Sequence, residues 1–105
     1  MTLVSHRPRL IVVAGPTGAG KTGLAVRLAR AHGGEIISAD SMQVYRHMDI
    51  GTAKPTPAER GRIRHHLIDV VDPDEPFSAA RFVRHARIII RDLHLSKTPV
   101  FVVGG

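Results

Sequence analysis

Apolar residues in this chain come in short runs separated by segments of helical spacing. Arg9 to Ala14 holds a β-branched apolar run followed by glycine, which predicts a short buried strand. Lys21 to His32 carries Leu24, Ala25, Leu28 and Ala31 on one helical face, and Gly33-Gly34 supplies a stop. Glu35 to Ala39 predicts a second strand, and His66 to Val71 a third, closed by Asp72-Pro73. Asp40 to Pro57 is polar and irregular, and so long a connection marks a candidate functional loop. Pro57 to Arg64 predicts a short helix with Pro57 in its first turn. Ser78 can cap a longer helix reaching about Ser96, in which Phe82, Ala86, Ile89, Ile90 and Leu93 follow helical spacing. Pro99 to Val103 predicts a fourth strand.

Strands that alternate with helices imply crossover connections and a mostly parallel sheet. Such sheets bind ligands at the carboxyl ends of their strands. Gly15, Asp40, Asp72 and Gly104 each follow a predicted strand, so they are expected to cluster along one edge.

Composition narrows the picture. The 105 residues suit one small domain with a modest core. There is no cysteine, which excludes a disulfide framework, a thiolate metal site and a cysteine nucleophile. The formal charge is +6 and mostly arginine, which suits phosphate or nucleic-acid contacts or else reflects a general arginine bias. No stretch is long enough to span a bilayer, and Pro8 with the glycines beyond it argues against a signal peptide. The expectation is a cytoplasmic protein with no membrane contact.

Gly15-Pro16-Thr17-Gly18-Ala19-Gly20-Lys21-Thr22 matches the P-loop pattern G-x-x-x-x-G-K-[ST]. Glycines let backbone curl around an anion, successive N–H groups point inward, and the following helix adds its positive end. Lys21 adds a full charge, and Thr22 offers a hydroxyl to Mg²⁺. Chance would produce the pattern on the order of once in a few hundred chains of this length. With a strand before it and a helix after it, a phosphate or diphosphate cradle is the better reading.

The segment Ile37 to Pro55, with Asp40-Ser41-Met42-Gln43-Val44-Tyr45 and Asp49-Ile50-Gly51-Thr52-Ala53-Lys54-Pro55, closely resembles its counterpart in bacterial tRNA dimethylallyltransferases. The P-loop, His66-Leu67-Ile68-Asp69, Asp72-Pro73, Phe77-Ser78-Ala79-Ala80 and Pro99 to Gly105 agree in order and spacing. The resemblance covers nearly everything after Pro8. It implies an α/β, P-loop NTPase-like three-layer fold with a mostly parallel sheet. It also implies transfer of a dimethylallyl group from dimethylallyl diphosphate to N6 of an adenine beside the anticodon of tRNA, with Mg²⁺ as cofactor. On that basis Gly15 to Thr22 bind the donor diphosphate, with Thr17 to Thr22 in contact, Lys21 and Thr22 acting in catalysis and Thr22 holding the metal. Asp40, Ser41, Met42 and Gln43 contact tRNA, and Asp40 is the general base.

The resemblance further implies a longer protein, monomeric when complete, that adds the rest of the sheet and a helical tRNA-binding insertion. Residues 1–105 are read as the truncated N-terminal part of a prenyltransferase core domain. Alone, this part is expected to bind tRNA weakly, turn over little or not at all, and associate through a sheet edge left exposed after Val103.

Several residues admit a second reading. Asp40 is either the base or a cap for a turn. Gln43 either pairs with an adenine edge or is solvated. Tyr45 packs its loop or stacks a base, and Asp72 orients Mg²⁺ through water or orders its loop. His65-His66 is a poor metal pair, because adjacent strand residues face opposite ways. Arg81, Arg84, Arg87 and Arg91 form a stripe that is either a solvated helix face or a phosphate track. Competing functions are a small P-loop kinase, which the Asp40 to Pro55 block opposes, and a non-catalytic phosphate-binding module.

Overall fold

A computed structural model describes residues 2–6, 10–14, 20–39, 43–46 and 55–104. Its elements are β1 (Thr2–His6), β2 (Leu10–Ala14), α1 (Lys21–His32), β3 (Glu35–Ser38), α2 (Pro57–Arg60), β4 (His65–His66), α3 (Ala79–Leu95) and β5 (Val100–Gly104). One sheet orders the strands β1-β2-β5-β3-β4. Four of them, β2, β5, β3 and β4, are parallel, and β1 joins β2 antiparallel.

Alternation along each strand builds two cores. Val13, Ile36 and Phe101 face α1, where they meet Ala25, Val26 and Ala29. Ile37 and Val100 face the other way, against Leu93 of α3 and Leu67. The register places Ile36 opposite Phe101 and Phe101 opposite Ile11, so each row crosses the sheet on one face. The connection through α1 passes over β5 to reach β3, whereas that through α3 returns from β4 to β5. Crossovers of one hand that travel in opposite directions require helices on opposite faces, and that is the three-layer arrangement found.

Local chemistry fixes the helix ends. Thr56 and Glu59 form a capping box at α2, with side-chain bonds of 3.1 and 2.9 Å. Ser78 caps α3 by accepting from the Arg81 N–H at 3.1 Å. Gly33, at φ 66°, closes α1. Phe82, Ala86, Ile89, Ile90 and Leu93 of α3 pack inward as their spacing predicts.

Four expectations need correction. The helix from Pro57 stops at Arg60, because Gly61 turns to φ 60°. The third strand is only His65–His66, since Leu67 and Asp69 adopt φ 64° and 56° and leave extended geometry. Strand β1 lies in a segment for which no element was expected. Finally, β5 is flanked by β2 and β3, so the segment ending near Val103 is internal and the sheet edges are β1 and β4. No helix among the described residues is long and apolar enough to cross a membrane.

Candidate active site

Strands β2, β5 and β3 end together. Ala14 lies opposite Gly104, Ser38 opposite Val103, and the Ala39 N–H donates to the Val103 carbonyl at 2.7 Å. Space is tight here: a Cβ on Gly104 would sit 3.0 Å from the Cβ of Ala39. Small residues therefore let three chain segments exit side by side.

The first exit leads to α1. Gly20 precedes it at φ 74°, a left-handed conformation suited to glycine, and its carbonyl accepts from the Leu24 N–H at 3.1 Å. Among the described helices, α1 alone starts without a side-chain cap, and its first turn holds no acid. Its leading N–H groups and positive helix end are thus suited to an anion. Lys21 and Thr22 occupy the first two helical positions and are half-buried. Gly15, Pro16, Thr17, Gly18 and Ala19 lie outside the described residues.

The second exit, after β3, leads to residues 40–42, so Asp40, Ser41 and Met42 also lie outside the described residues. Gln43 follows them and is half-buried. Its Oε1 accepts from the Ser38 hydroxyl at 2.7 Å. Its main chain is clamped as well. The Gln43 carbonyl accepts from the Asp69 N–H at 3.0 Å, and the Val44 carbonyl accepts from the N–H groups of Val70 and Val71 at 2.7 and 3.1 Å. Val44 is fully buried, and Tyr45 makes a parallel bridge to Val71.

Ser38 was not singled out in the sequence, although a signal existed. It shares strand parity with Ile36, which places a hydroxyl on the buried α1 face at the carboxyl edge.

The other candidates make contacts of their own. Asp72 pairs with Arg46 at 3.2 Å, and its N–H donates to Glu75, so it orders its loop. His65 and His66 do face opposite ways. His65 Nδ1 meets the Ile63 carbonyl at 2.9 Å, and His66 Nε2 meets Glu35 at 2.6 Å. Burial holds the His65 pKa below its ordinary value, against the raising effect of the Ile63 carbonyl, with Arg60 and His66 lowering it further. No group of three or more His, Cys, Asp or Glu residues among the described ones could hold a metal. Arg84, Arg87 and Arg91 are exposed on α3, opposite its packed face, while Arg81 lies over the Phe77 ring at 4.9 Å.

A family profile described as IPP transferase matches residues 43–105, more than half of the chain. The chain belongs to the IPP transferase family. Among IPP transferase relatives, a tRNA dimethylallyltransferase 2 from Syntrophus aciditrophicus is 63% identical over 105 residues, covering 100% of this chain and 34% of the relative. A tRNA dimethylallyltransferase from Desulfosudis oleivorans is 62% identical, covering 94% and 32%. The solved full-length tRNA isopentenylpyrophosphate transferase from Bacillus halodurans superposes with a TM-score of 0.89 at 49% identity, covering 94% of this chain and 33% of that one. A solved eukaryotic dimethylallyltransferase acting on tRNA superposes with a TM-score of 0.84 at 40% identity, covering 90% and 23%. The chain thus spans about a third of the length of the curated relatives it matches. With the IPP transferase family goes the expected α/β, mostly parallel, P-loop NTPase-like fold.

Proposed function

We propose that the protein transfers a dimethylallyl group from dimethylallyl diphosphate to the exocyclic N6 of an adenine beside the anticodon of tRNA. In this reading the residues described above supply the donor cradle and the loop that faces the base. The observation that carries it is the convergence of an uncapped helix start bearing Lys21 and Thr22 with a tethered Gln43 loop on one sheet edge.

The chemistry needs those two groups side by side. The N6 amine is a weak nucleophile, because its lone pair is delocalised into the ring. As N6 bonds to the allylic carbon, the carbon–oxygen bond to the diphosphate breaks and the nitrogen becomes acidic. Asp40, three residues before the clamped Gln43, is proposed to take that proton as general base. The charge that grows on the leaving diphosphate is met by α1 N–H groups, the Gly15 to Gly20 backbone and Lys21. Mg²⁺ fits a site with one hydroxyl and several phosphate oxygens, and Thr22 would hold it. Its chemistry when bound is to neutralise the leaving diphosphate. The adenine must leave its stack to reach the loop.

Calorimetry with dimethylallyl diphosphate and with ATP, each with Mg²⁺, tests the reading. Preference for the prenyl donor is expected. Clear preference for ATP would instead mark a small P-loop kinase.

A further inference from the structure

The outer face of α1 and the turn that follows α2 are rich in arginine. Helix α1 carries Lys21, Arg27 and Arg30 and no carboxylate. Arg27 and Arg30 are exposed, as are Arg62 and Arg64 after α2. Ile63 packs into the core beneath α1, so Arg62 and Arg64 flank an anchored residue. We propose that Arg30, Arg62 and Arg64 form a phosphate-binding patch for the backbone of the RNA substrate, separate from the P-loop. This rests on the function proposed above, which supplies the polyanion.

Arg30 has a seat. A Cβ built on Gly61 would lie 2.8 Å from Arg30 Nη2, so the guanidinium rests against bare backbone. Gly61 stands at φ 60°, where glycine is favoured. One glycine thus makes the turn and leaves room for the arginine. Among the described residues no carboxylate comes within ion-pair distance of Arg30, Arg62 or Arg64. The acids of the neighbouring elements are already engaged: Glu59 in the Thr56 capping box, Glu35 with His66 at 2.6 Å, and Asp69 with Arg60 at 3.7 Å. Arg60 also donates to the Pro55 carbonyl at 3.0 Å, so it serves the fold and not the patch. A held guanidinium without an acid is half of a charge-assisted pair, and its planar fork matches a phosphate.

The placement suits an RNA strand. The Arg64 carbonyl accepts from the Ile36 N–H at 2.9 Å, which puts the patch near the amino end of β3. Along α1, Arg30 lies about 14 Å from Lys21 by helical rise. An RNA whose target base sits at the carboxyl edge covers that distance within a few nucleotides of one strand. The arginine stripe on α3 is less suited. Asp72, Asp74 and Glu75 stand just before that helix, and Arg91 has Asp92 at 3.9 Å, so an approaching phosphate meets acids there.

The test uses the complete gene product and anticodon stem-loops of several sequences, with binding measured across a range of NaCl concentrations. Combining Arg30→Ala, Arg62→Ala and Arg64→Ala should reduce the steepness of log affinity against log salt by about two to three. Near about 0.1 M salt this variant should bind every stem-loop roughly tenfold or more weakly, by a similar factor whatever the sequence. Its donor-induced rise in melting temperature, measured without RNA, should match wild type. Lysine at the same positions should restore most of the salt dependence, and combining Arg84→Ala, Arg87→Ala and Arg91→Ala should change it by less than about one. If the alanine variant fails to fold, the exposed pair Arg62→Glu and Arg64→Glu decides by the same readout. Unchanged salt dependence in the patch variants, or a larger drop in the α3 variant, would overturn the proposal. So would inorganic phosphate that displaces RNA more than chloride does at equal ionic strength, which would mark a small-anion site. Patch-dependent RNA binding by a protein that transfers no prenyl group to any RNA would instead defeat the functional reading and leave the patch standing.

Discussion

At the scale of single residues, His65 carries a testable electrostatic consequence. Its Nδ1–H donates to the Ile63 carbonyl, which leaves Nε2 as a buried nitrogen with no hydrogen-bond partner. Protonating Nε2 would add a donor and a charge where neither is satisfied, beside Arg60 and His66. Its folded pKa lies below the ordinary 6.5, so the unfolded chain binds the proton more readily. Where the unfolded state holds more protons, stability rises with pH. The contribution of His65 is therefore complete above about pH 6.5 and is lost as pH falls through the lower, folded value. Urea unfolding between pH 5 and 7.5 should show stability rising with pH. His65→Asn, which keeps a donor for Ile63 and cannot titrate, should flatten the rise; an unchanged slope would refute this account.

At the scale of elements, the end of α3 is built without the residue its geometry favours. Lys97 N–H donates to the His94 carbonyl at 3.0 Å and Thr98 N–H to the Leu93 carbonyl at 2.8 Å, which is the double bond of a Schellman motif. Lys97 stands in the position usually given to glycine and adopts φ 59°. A non-glycine residue there costs about 1–2 kcal/mol, part of which glycine returns as extra freedom when unfolded. Lys97→Gly should therefore stabilise the fold by about 0.5–1 kcal/mol, read from denaturant midpoints, and destabilisation would contradict the assignment. The same elements show what the chain makes legible. Helix α1 has the expected bounds because period, glycine stop and P-loop agree. Strand β4 is shorter than expected because docking against residues 43–46 twists Leu67 and Asp69 out of extended form, and no local propensity encodes that. Strand β1 gains its meaning only from its partner β2. At the candidate site, Lys21 and Thr22 were readable from spacing. The Ser38–Gln43 bond was not, because it depends on how an irregular loop returns to the strand that launched it.

For the whole molecule, ligand binding and folding share one set of contacts. The helix start that would grip a diphosphate exists only when β2, β5 and α1 are assembled, since Val13, Phe101, Ala25 and Ala29 pack together. A ligand that binds this state and not the unfolded chain stabilises it by mass action, about 2.7 kcal/mol at a hundred times its dissociation constant. For a domain near 100 residues, each kcal/mol moves the melting temperature by roughly 4–8 °C. Dimethylallyl diphosphate with Mg²⁺ should accordingly raise the melting temperature by about 10 °C or more at that excess. Lys21→Met removes a charge-assisted contact worth about 1.5–3 kcal/mol, so affinity should fall roughly tenfold to a hundredfold. At the same ligand concentration the variant should therefore keep between about a half and about a seventh of the shift, while its unliganded melting temperature stays close to wild type because Lys21 lies at a helix start and not in the core. Equal shifts in the two proteins would mean that the diphosphate is bound somewhere other than the first turn of α1.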